Sequence, residues 1–201
     1  MNKDNCRFPK GKEGKETLLR MNEMHNEGST WAISNLEFGR NLNILDVGCG
    51  GGKNILNLAT KFNDSIIYGV DYSSTSVDFA SEINSHLIEQ KRVFIDEQNV
   101  SNLNFKDSFF DIVCAFETIY FWPDIKNDFL EIKRVLKDGG KFLIFVEGST
   151  KEILKEWSKE VYLKNQLTKD ELINILKEVG YKNIQSFNMN KSEKLCIISQ
   201  K

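Results

Sequence analysis

Short apolar runs alternate with amphipathic stretches along most of this chain. The runs Ile44–Val47, Ile66–Val70 and Ile112–Phe116 have the length and the valine and isoleucine content of buried strands. Between them, apolar residues recur at helical spacing, most clearly over Ser74–Gln90, where they form a broad face. Strands that alternate with helices predict a parallel sheet joined by right-handed crossovers.

The same pattern predicts the remaining elements of an α/β fold. Further strands are expected at Val93–Asp96 and Lys141–Val146, and helices at Asn54–Lys61 and Asp124–Leu136. Two more runs close the chain, about Asn183–Asn188 and Lys194–Ser199. The five residues between them make a loop short enough for an antiparallel hairpin.

Helical patterns flank this core on both sides. Glu13–Leu36 carries two apolar patches with an expected interruption near Gly28, and Ser29 is the expected N-cap of the second piece. Gly148–Gln166 is a charged amphipathic segment that we expect to be one helix. A capping-box pattern, Thr168 to Glu171, then opens a helix that is expected to end at Gly180, as its C-terminal cap.

Length and composition fit a single domain. The 201 residues suffice for one α/β core, which we divide into an N-terminal segment (1–40), a ligand-binding core (41–146) and a C-terminal part (147–201). The net charge is −2 and no basic stripe is present, which disfavours a nucleic-acid substrate. No apolar window is long enough to span a bilayer and no secretory h-region is seen, so we expect a cytoplasmic protein.

Cysteine and histidine usage predicts no metal site. The four cysteines have no C-x-x-C spacing. His25 and His86, the two histidines, lie far apart in the sequence. Zinc sites need clusters of these residues, so a zinc centre is not expected.

A glycine-rich turn after the first strand carries the strongest functional signal. Asp46, Gly48, Gly50 and Gly52 stand at alternate positions between a strand and a helix, where a ligand can lie against bare backbone. The spacing does not fit a Walker loop, and Lys53 stands where a dinucleotide fingerprint needs glycine or alanine for close packing. An acid before the turn disfavours a pyrophosphate and suits a ligand that carries an ammonium group.

A second acid ends the next predicted strand. Asp71 lies roughly 20 residues past the glycine turn, where doubly wound nucleotide folds place the carboxylate that binds a ribose. The alternative is that Asp71 only caps the turn before Ser73. The glycine turn upstream favours the ribose interpretation.

These segments together resemble the class I S-adenosylmethionine (SAM)-dependent methyltransferases. Asp46–Gly52 is similar to motif I of that family, Phe109–Glu117 to its fourth strand, and Leu136–Phe145 to its Gly-Gly turn into the fifth strand, with Asp138 in place of proline. The resemblance covers residues 44–145. It implies a Rossmann-like sheet of seven mostly parallel strands with a C-terminal antiparallel hairpin, helices on both faces and an N-terminal helical lid.

The resemblance also assigns the cofactor residues. Asp46 would organise the turn and attract the methionine ammonium, while Gly48, Cys49 and Gly50 would approach the methionine and ribose parts. Asp71 would accept from the ribose hydroxyls, and Phe116 would face the methyl donor. The residues expected around the adenine are Tyr72, Asn99 and Val100. Asn99 departs from the family, which usually has aspartate there, although its carbonyl can accept the same hydrogen bond.

The acceptor side is expected beyond the fourth strand. Glu117 is a candidate base or ammonium anchor, and Tyr120 is a candidate pocket residue. Trp122 has two open interpretations, as a pocket wall or as packing under the next helix. His25 would join the site if the N-terminal lid covers it.

Three functions are compatible with these residues. The first is an enzyme that transfers a methyl group from SAM to a small-molecule acceptor, similar to the ubiquinone- and menaquinone-biosynthesis methyltransferases. The second is a non-catalytic SAM-binding partner protein, and the third, which Lys53 disfavours, is an NAD(P)-linked oxidoreductase. A monomer or a homodimer is expected.

Overall fold

Seven strands form one mixed sheet in the computed structural model, which describes residues 3–201. Their order across the sheet is β3-β2-β1-β4-β5-β7-β6, and all neighbouring pairs are parallel except the two that involve β7. The predicted parallel sheet with a C-terminal hairpin is therefore confirmed. The strands are β1 (Asn43–Val47), β2 (Ile66–Asp71), β3 (Val93–Glu97), β4 (Phe110–Phe116), β5 (Leu136–Val146), β6 (Lys182–Asn188) and β7 (Leu195–Gln200).

Helices cover both faces of the sheet. The first set of helices is α1 (Gly11–Met24), α2 (Asn26–Ser34), α3 (Lys53–Lys61), α4 (Ser74–Ile83) and α5 (Ser85–Glu89). The second set is α6 (Ile125–Val135), α7 (Lys151–Trp157) and α8 (Lys169–Glu178). Side chains alternate across β1: Leu45 belongs to the core under α6–α8, and Ile44 to the core under α2–α5. None of the helices described here is long and apolar enough to cross a membrane.

The register brings three strand ends to one edge of the sheet. Asp46 of β1 lies opposite Cys114 of β4, and Phe116 of β4 lies opposite Phe145 of β5. Residues that follow β1, β4 and β5 therefore meet beyond the same edge. Ligands of open α/β sheets bind at this carboxyl edge.

The N-terminal helical segment is broken at a different residue from the one predicted. α1 ends before His25, whose N–H bonds to Met21, and Gly28 and Ser29 lie inside α2. Gly28 allows a close approach instead of a break, because a Cβ there would stand 2.5 Å from the Phe145 ring. The prediction that Ser29 is an N-cap is therefore wrong, and His25 stands at the N-cap position of α2.

Two other helices are shorter than the amphipathic pattern predicts. The stretch 74–90 is interrupted at Asn84, whose amide donates to Gly52 O (3.0 Å) and Ala80 O (2.9 Å) and ties the helix to the glycine turn. The segment 148–166 is helical only as α7. The predicted capping box of α8 is present at Thr168 and Glu171.

Candidate functional site

A cavity of about 660 Å³ lies at the carboxyl edge of the sheet. Its walls come from the segments after β1 to β5 and from the N-terminal segment. Eleven of the predicted site residues line it: His25, Gly48, Cys49, Gly50, Asp71, Tyr72, Asn99, Val100, Phe116, Glu117 and Tyr120. Asp46 is the predicted residue that does not.

Four N–H groups of the glycine turn form hydrogen bonds within the protein. Those of Gly48 and Cys49 donate to Val70 O, at 2.8 and 3.0 Å, and that of Gly52 donates to Cys49 O at 2.9 Å. Gly50 N–H donates to the Asp71 carboxylate. A pyrophosphate site needs such N–H groups free to face the ligand. The turn therefore commits internally four N–H groups that a phosphate cradle would need to have free.

Asp71 is the buried acid that holds this turn. Its Oδ2 accepts from Gly50 N–H and its Oδ1 from Ser73 N–H, both at 2.9 Å, while 7% of the residue is exposed. Burial raises the pKa of Asp71, and the hydrogen bonds to it act in the opposite direction. Each carboxylate oxygen has further lone pairs, so Asp71 can also accept from a hydroxyl in the cavity.

The N-terminal segment forms a roof over this end of the cavity, made of Arg7–Pro9 and Asn22. Phe8 stacks on Tyr72 with ring centroids 4.9 Å apart, and the Tyr72 hydroxyl donates to Arg7 O at 2.5 Å. Asn22 Nδ2 donates to Gly51 O at 2.9 Å. Sequence reasoning placed Tyr72 here but missed Phe8, because a single aromatic residue in an irregular segment gives no periodic signal.

The segment after β3 is an Asx turn. Asn99 is exposed, and its Oδ1 accepts from Ser101 N–H at 3.0 Å. Val100 is buried against the larger core. The Asn99 carbonyl therefore has one lone pair committed to its own turn and one left for a ligand.

Asp46 lies in the sheet behind the glycine turn. It is 1% exposed, and neither carboxylate oxygen has a hydrogen-bond partner among the described residues. Burial, together with the charge of nearby Asp71, raises the pKa of Asp46 to about 8. In the protein without a ligand, the Asp46 carboxyl group is therefore mostly protonated at neutral pH. The predicted attraction of Asp46 for an ammonium group stays a prediction.

This raised pKa predicts how stability depends on pH. The folded state keeps the Asp46 proton up to about pH 8, whereas the unfolded chain releases it near pH 4, so the free energy of unfolding should fall across this window as pH rises. Such a group contributes a slope of up to about 1.4 kcal/mol per pH unit. Asp46→Asn should therefore flatten the profile measured by urea unfolding between pH 5 and 8 without cofactor. The exposed control Glu152→Gln should keep the wild-type slope, and an unchanged slope in Asp46→Asn would contradict the assignment.

Glu117 stands at the end of β4 in a strained backbone conformation. Its φ is +57°, a left-handed value that costs a non-glycine residue roughly 1–2 kcal/mol. Its Oε1 accepts from the Glu147 N–H at 2.5 Å. Burial raises the pKa of Glu117 to about 8; nearby His25 opposes this rise and Glu147 adds to it. Strain at a cavity wall is typical of functional residues.

His25 reaches the same place from the end of α1. Its Nδ1 lies 3.3 Å from Glu147 Oε2, and Lys194 Nζ lies 3.0 Å from Glu147 Oε1. Burial opposes a proton on His25, but Glu147 and Glu117 together raise the pKa of His25. Glu147 itself has its pKa lowered, because His25 and Lys194 outweigh its burial.

The sequence does not lead us to predict Glu147 or Lys194 as site residues. Glu147 follows β5 directly, as Glu117 follows β4, and the rule that carboxyl ends share one edge could have identified it. His25, Glu117 and Glu147 each offer a ligand atom within 4.8 Å of the others, a set that a search for histidine and cysteine clusters does not find. In the structure, the basic side chains that lie beside Glu147 are His25 and Lys194.

Tyr120 and Trp122 are both buried and both line the cavity. The Tyr120 hydroxyl lies 3.2 Å from both N and O of Gly148, where it can accept from one and donate to the other. Burial raises the pKa of Tyr120 well above its usual value. Trp122 packs on Phe129 and Phe142, so both interpretations of Trp122 hold: it packs the core and forms part of a wall.

Comparisons with known proteins agree with this geometry. Residues 45–144 match the family model of the methyltransferase domain. The chain is 31% identical to sterol 4-C-methyltransferase of Caenorhabditis elegans over 63% of its own length, but it spans 37% of that relative. Phosphoethanolamine N-methyltransferase 2 of Haemonchus contortus, solved with SAM, is 28% identical with a TM-score of 0.67, covering 82% of this chain and 38% of that one.

A third protein shares the fold over nearly its whole length. It comes from Haloferax volcanii and was solved in complex with the methyltransferase activator Trm112. Its TM-score is 0.82 at 17% identity, covering 92% of this chain and 93% of that one. The family model, the sheet order and the position of the glycine turn agree: this chain belongs to the class I SAM-dependent methyltransferase family.

Proposed function

We propose that this protein transfers a methyl group from SAM to a small-molecule acceptor. One observation carries the proposal. A single cavity is lined at once by Gly50 and Asp71, where the cofactor would bind, and by Glu117, where an acceptor would react. A ligand at one end would therefore be held within reach of a ligand at the other.

The residues at the cofactor end fit SAM. Gly50 has a φ of +50°, and a Cβ built there would meet only Leu18, at 3.7 Å, so a side chain would project into open space that a ligand can use. Asp71 would accept from the ribose hydroxyls, and Asn99 and Val100 would contact the adenine. Bound SAM would supply a methyl group on a sulfonium, which is a good leaving group.

The protein's own part is alignment, exclusion of water and control of one proton. The roof covers the cofactor end, and buried aromatic residues line the acceptor end. Fixed, dry alignment of two reactants accounts for several kcal/mol of a barrier. Glu117 is the group placed to hold a proton that the acceptor releases.

A named relative and the charge of the chain favour a small acceptor. The C. elegans relative is named for a sterol, which supports a small molecule. The net charge of −2 gives no attraction to a nucleic acid.

The two alternative functions are less well supported. A non-catalytic SAM-binding protein needs no acceptor pocket, whereas Tyr120 and Trp122 line this cavity without plugging it. An NAD(P)-linked oxidoreductase needs N–H donors for a pyrophosphate, and the turn commits four of them internally. Kinship to quinone-biosynthesis methyltransferases, a cytoplasmic location and a monomeric or dimeric state stay predictions.

Cofactor binding provides the first test. Isothermal titration calorimetry should show that S-adenosylhomocysteine (SAH) binds with a Kd on the order of 1–100 μM, within the usual range for enzyme ligands, and that NADH does not bind. Incubation with methyl-labelled SAM and a small-molecule cell extract should then label at least one acceptor. Binding of NADH without SAH would contradict the cofactor assignment, and SAH binding without any labelled acceptor would contradict the enzymatic one.

A further inference from the structure

We infer that the acceptor is an amine and that its nitrogen receives the methyl group. This inference rests on the proposed methyl transfer and adds the chemical class of the acceptor. It follows from the charges at the acceptor end of the cavity, from the walls around them and from the protonation chemistry of amines.

Glu117 and Glu147 differ in how they are paired. Glu147 is paired on both oxygens, with His25 at 3.3 Å and Lys194 at 3.0 Å. Glu117, which also lines the cavity, accepts from the Glu147 N–H but forms no ion pair within 4.0 Å with any side chain that the structure describes. Burial favours the neutral acid form of Glu117 in the free protein. An ammonium group in the cavity would stabilise the carboxylate form and act as its counterion.

The walls around Glu117 suit a cation with an apolar body. Tyr120 and Trp157 meet edge to face with ring centroids 6.0 Å apart, and Phe121 and Leu163 extend the same lining. Aromatic faces attract ammonium groups through the negative charge of their π-systems. The same walls bind the hydrocarbon part of a ligand. Acceptors whose reacting end carries a carboxylate or phosphate would be repelled by Glu117 and Glu147.

The reaction balances with Glu117 as the base. The acceptor ammonium gives a proton to the Glu117 carboxylate, which becomes a neutral carboxylic acid, and the nitrogen regains its lone pair. That lone pair forms the new N–C bond as the S–C bond of the sulfonium donor breaks, with the electron pair left on sulfur. The products are a protonated methylamine and a neutral thioether. His25 is less suited to take the proton, because its pairing with Glu147 favours its charged form.

Neutral acceptors would use less of this arrangement. Glu117 could take a proton from an alcohol or thiol but would form no ion pair with it. With a carbon acceptor, Glu117 would do neither. A site built for a charged hydrogen-bonded group rejects the analogue that lacks it. The preference for amine over alcohol should therefore be measurable on ligands of the same shape.

Matched pairs of amine and alcohol provide the experiment. With the protein saturated with SAH, calorimetry would compare 2-phenylethylamine with 2-phenylethanol, and tryptamine with tryptophol. We expect each amine to bind at least tenfold more tightly than its alcohol, and the difference to fall below about threefold in Glu117→Gln. Glu152→Gln, an exposed change on α7, should keep the wild-type preference. Equal binding of amine and alcohol, or binding of neither, would overturn the inference.

The labelled extract separates this inference from the proposed function. Mass spectrometry of the labelled product should locate the methyl group on nitrogen. A methyl group on oxygen, carbon or sulfur would overturn the amine assignment and leave the proposed methyl transfer standing. If EDTA abolishes methyl transfer and a divalent cation restores it, His25, Glu117 and Glu147 would be assigned as a metal site. That result would also overturn the amine assignment.

Discussion

Replacing Glu117 with glutamine is expected to lower the rate of methyl transfer by about 10²–10⁴-fold, the usual contribution of a general base. Glutamine has nearly the same volume, and its carbonyl can still accept from the Glu147 N–H. It cannot take a proton. Because Glu117 makes none of the Asp71 hydrogen bonds that hold the glycine turn, SAH affinity should stay within about twofold of wild type.

The pH profile separates a base from a merely structural residue. Burial raises the pKa of Glu117 to about 8, and a general base acts only when deprotonated. In the wild type, kcat/KM should therefore rise with pH up to about 8 and then level off, and Glu117→Gln should lose this limb. A variant with wild-type kcat, or with the limb intact, would remove Glu117 from the chemistry. Glu152→Gln serves as the control for both measurements.

Replacing Asp71 with alanine is expected to weaken SAH binding by about 1–3 kcal/mol, or roughly 5- to 150-fold. Two losses contribute. The ribose hydroxyls would lose their acceptor, and the N–H groups of Gly50 and Ser73 would lose theirs, which loosens the turn against which the cofactor lies. The second loss acts without any ligand, so the melting temperature of the free protein should fall as well.

Calorimetry with SAH and thermal unfolding of the free protein would test both effects. Asp71→Asn keeps one carbonyl acceptor and should lie between the wild type and Asp71→Ala. Asp78→Ala, an exposed change on α4, should leave SAH affinity unaltered. Unchanged SAH affinity in Asp71→Ala would show that this carboxylate does not contact the cofactor.

Much of the fold follows from local patterns in the sequence. The strands β1, β2 and β4 coincide with runs of apolar residues because parallel strands are buried on both faces. The α8 capping box follows from the pairing of Thr168 with Glu171. Each of these signals is made by residues that lie close together in the sequence, which is why the sequence alone reveals it.

The errors arise where contacts between distant segments override local preference. Gly28 resembles a helix interruption but is needed where α2 approaches Phe145, and Asn84 interrupts an amphipathic helix to bond to the glycine turn. Neither contact has a signature nearby in the sequence. The acids at the ends of β4 and β5 illustrate an intermediate case. The position of Glu117 at the end of the predicted fourth strand identifies it, whereas Glu147 becomes significant only once β4 and β5 are known to be neighbours.

The internal hydrogen bonds of the glycine turn also bear on how quickly and tightly a cofactor is bound. Since Gly48, Cys49, Gly50 and Gly52 are bonded to the protein itself, the turn keeps its shape in the free state. The backbone entropy of the turn is therefore lost when the chain folds. Ordering of the turn then does not reduce the affinity for a ligand. The amide protons of the turn should accordingly exchange slowly with solvent before any cofactor arrives, as in a rigid, preformed receptor.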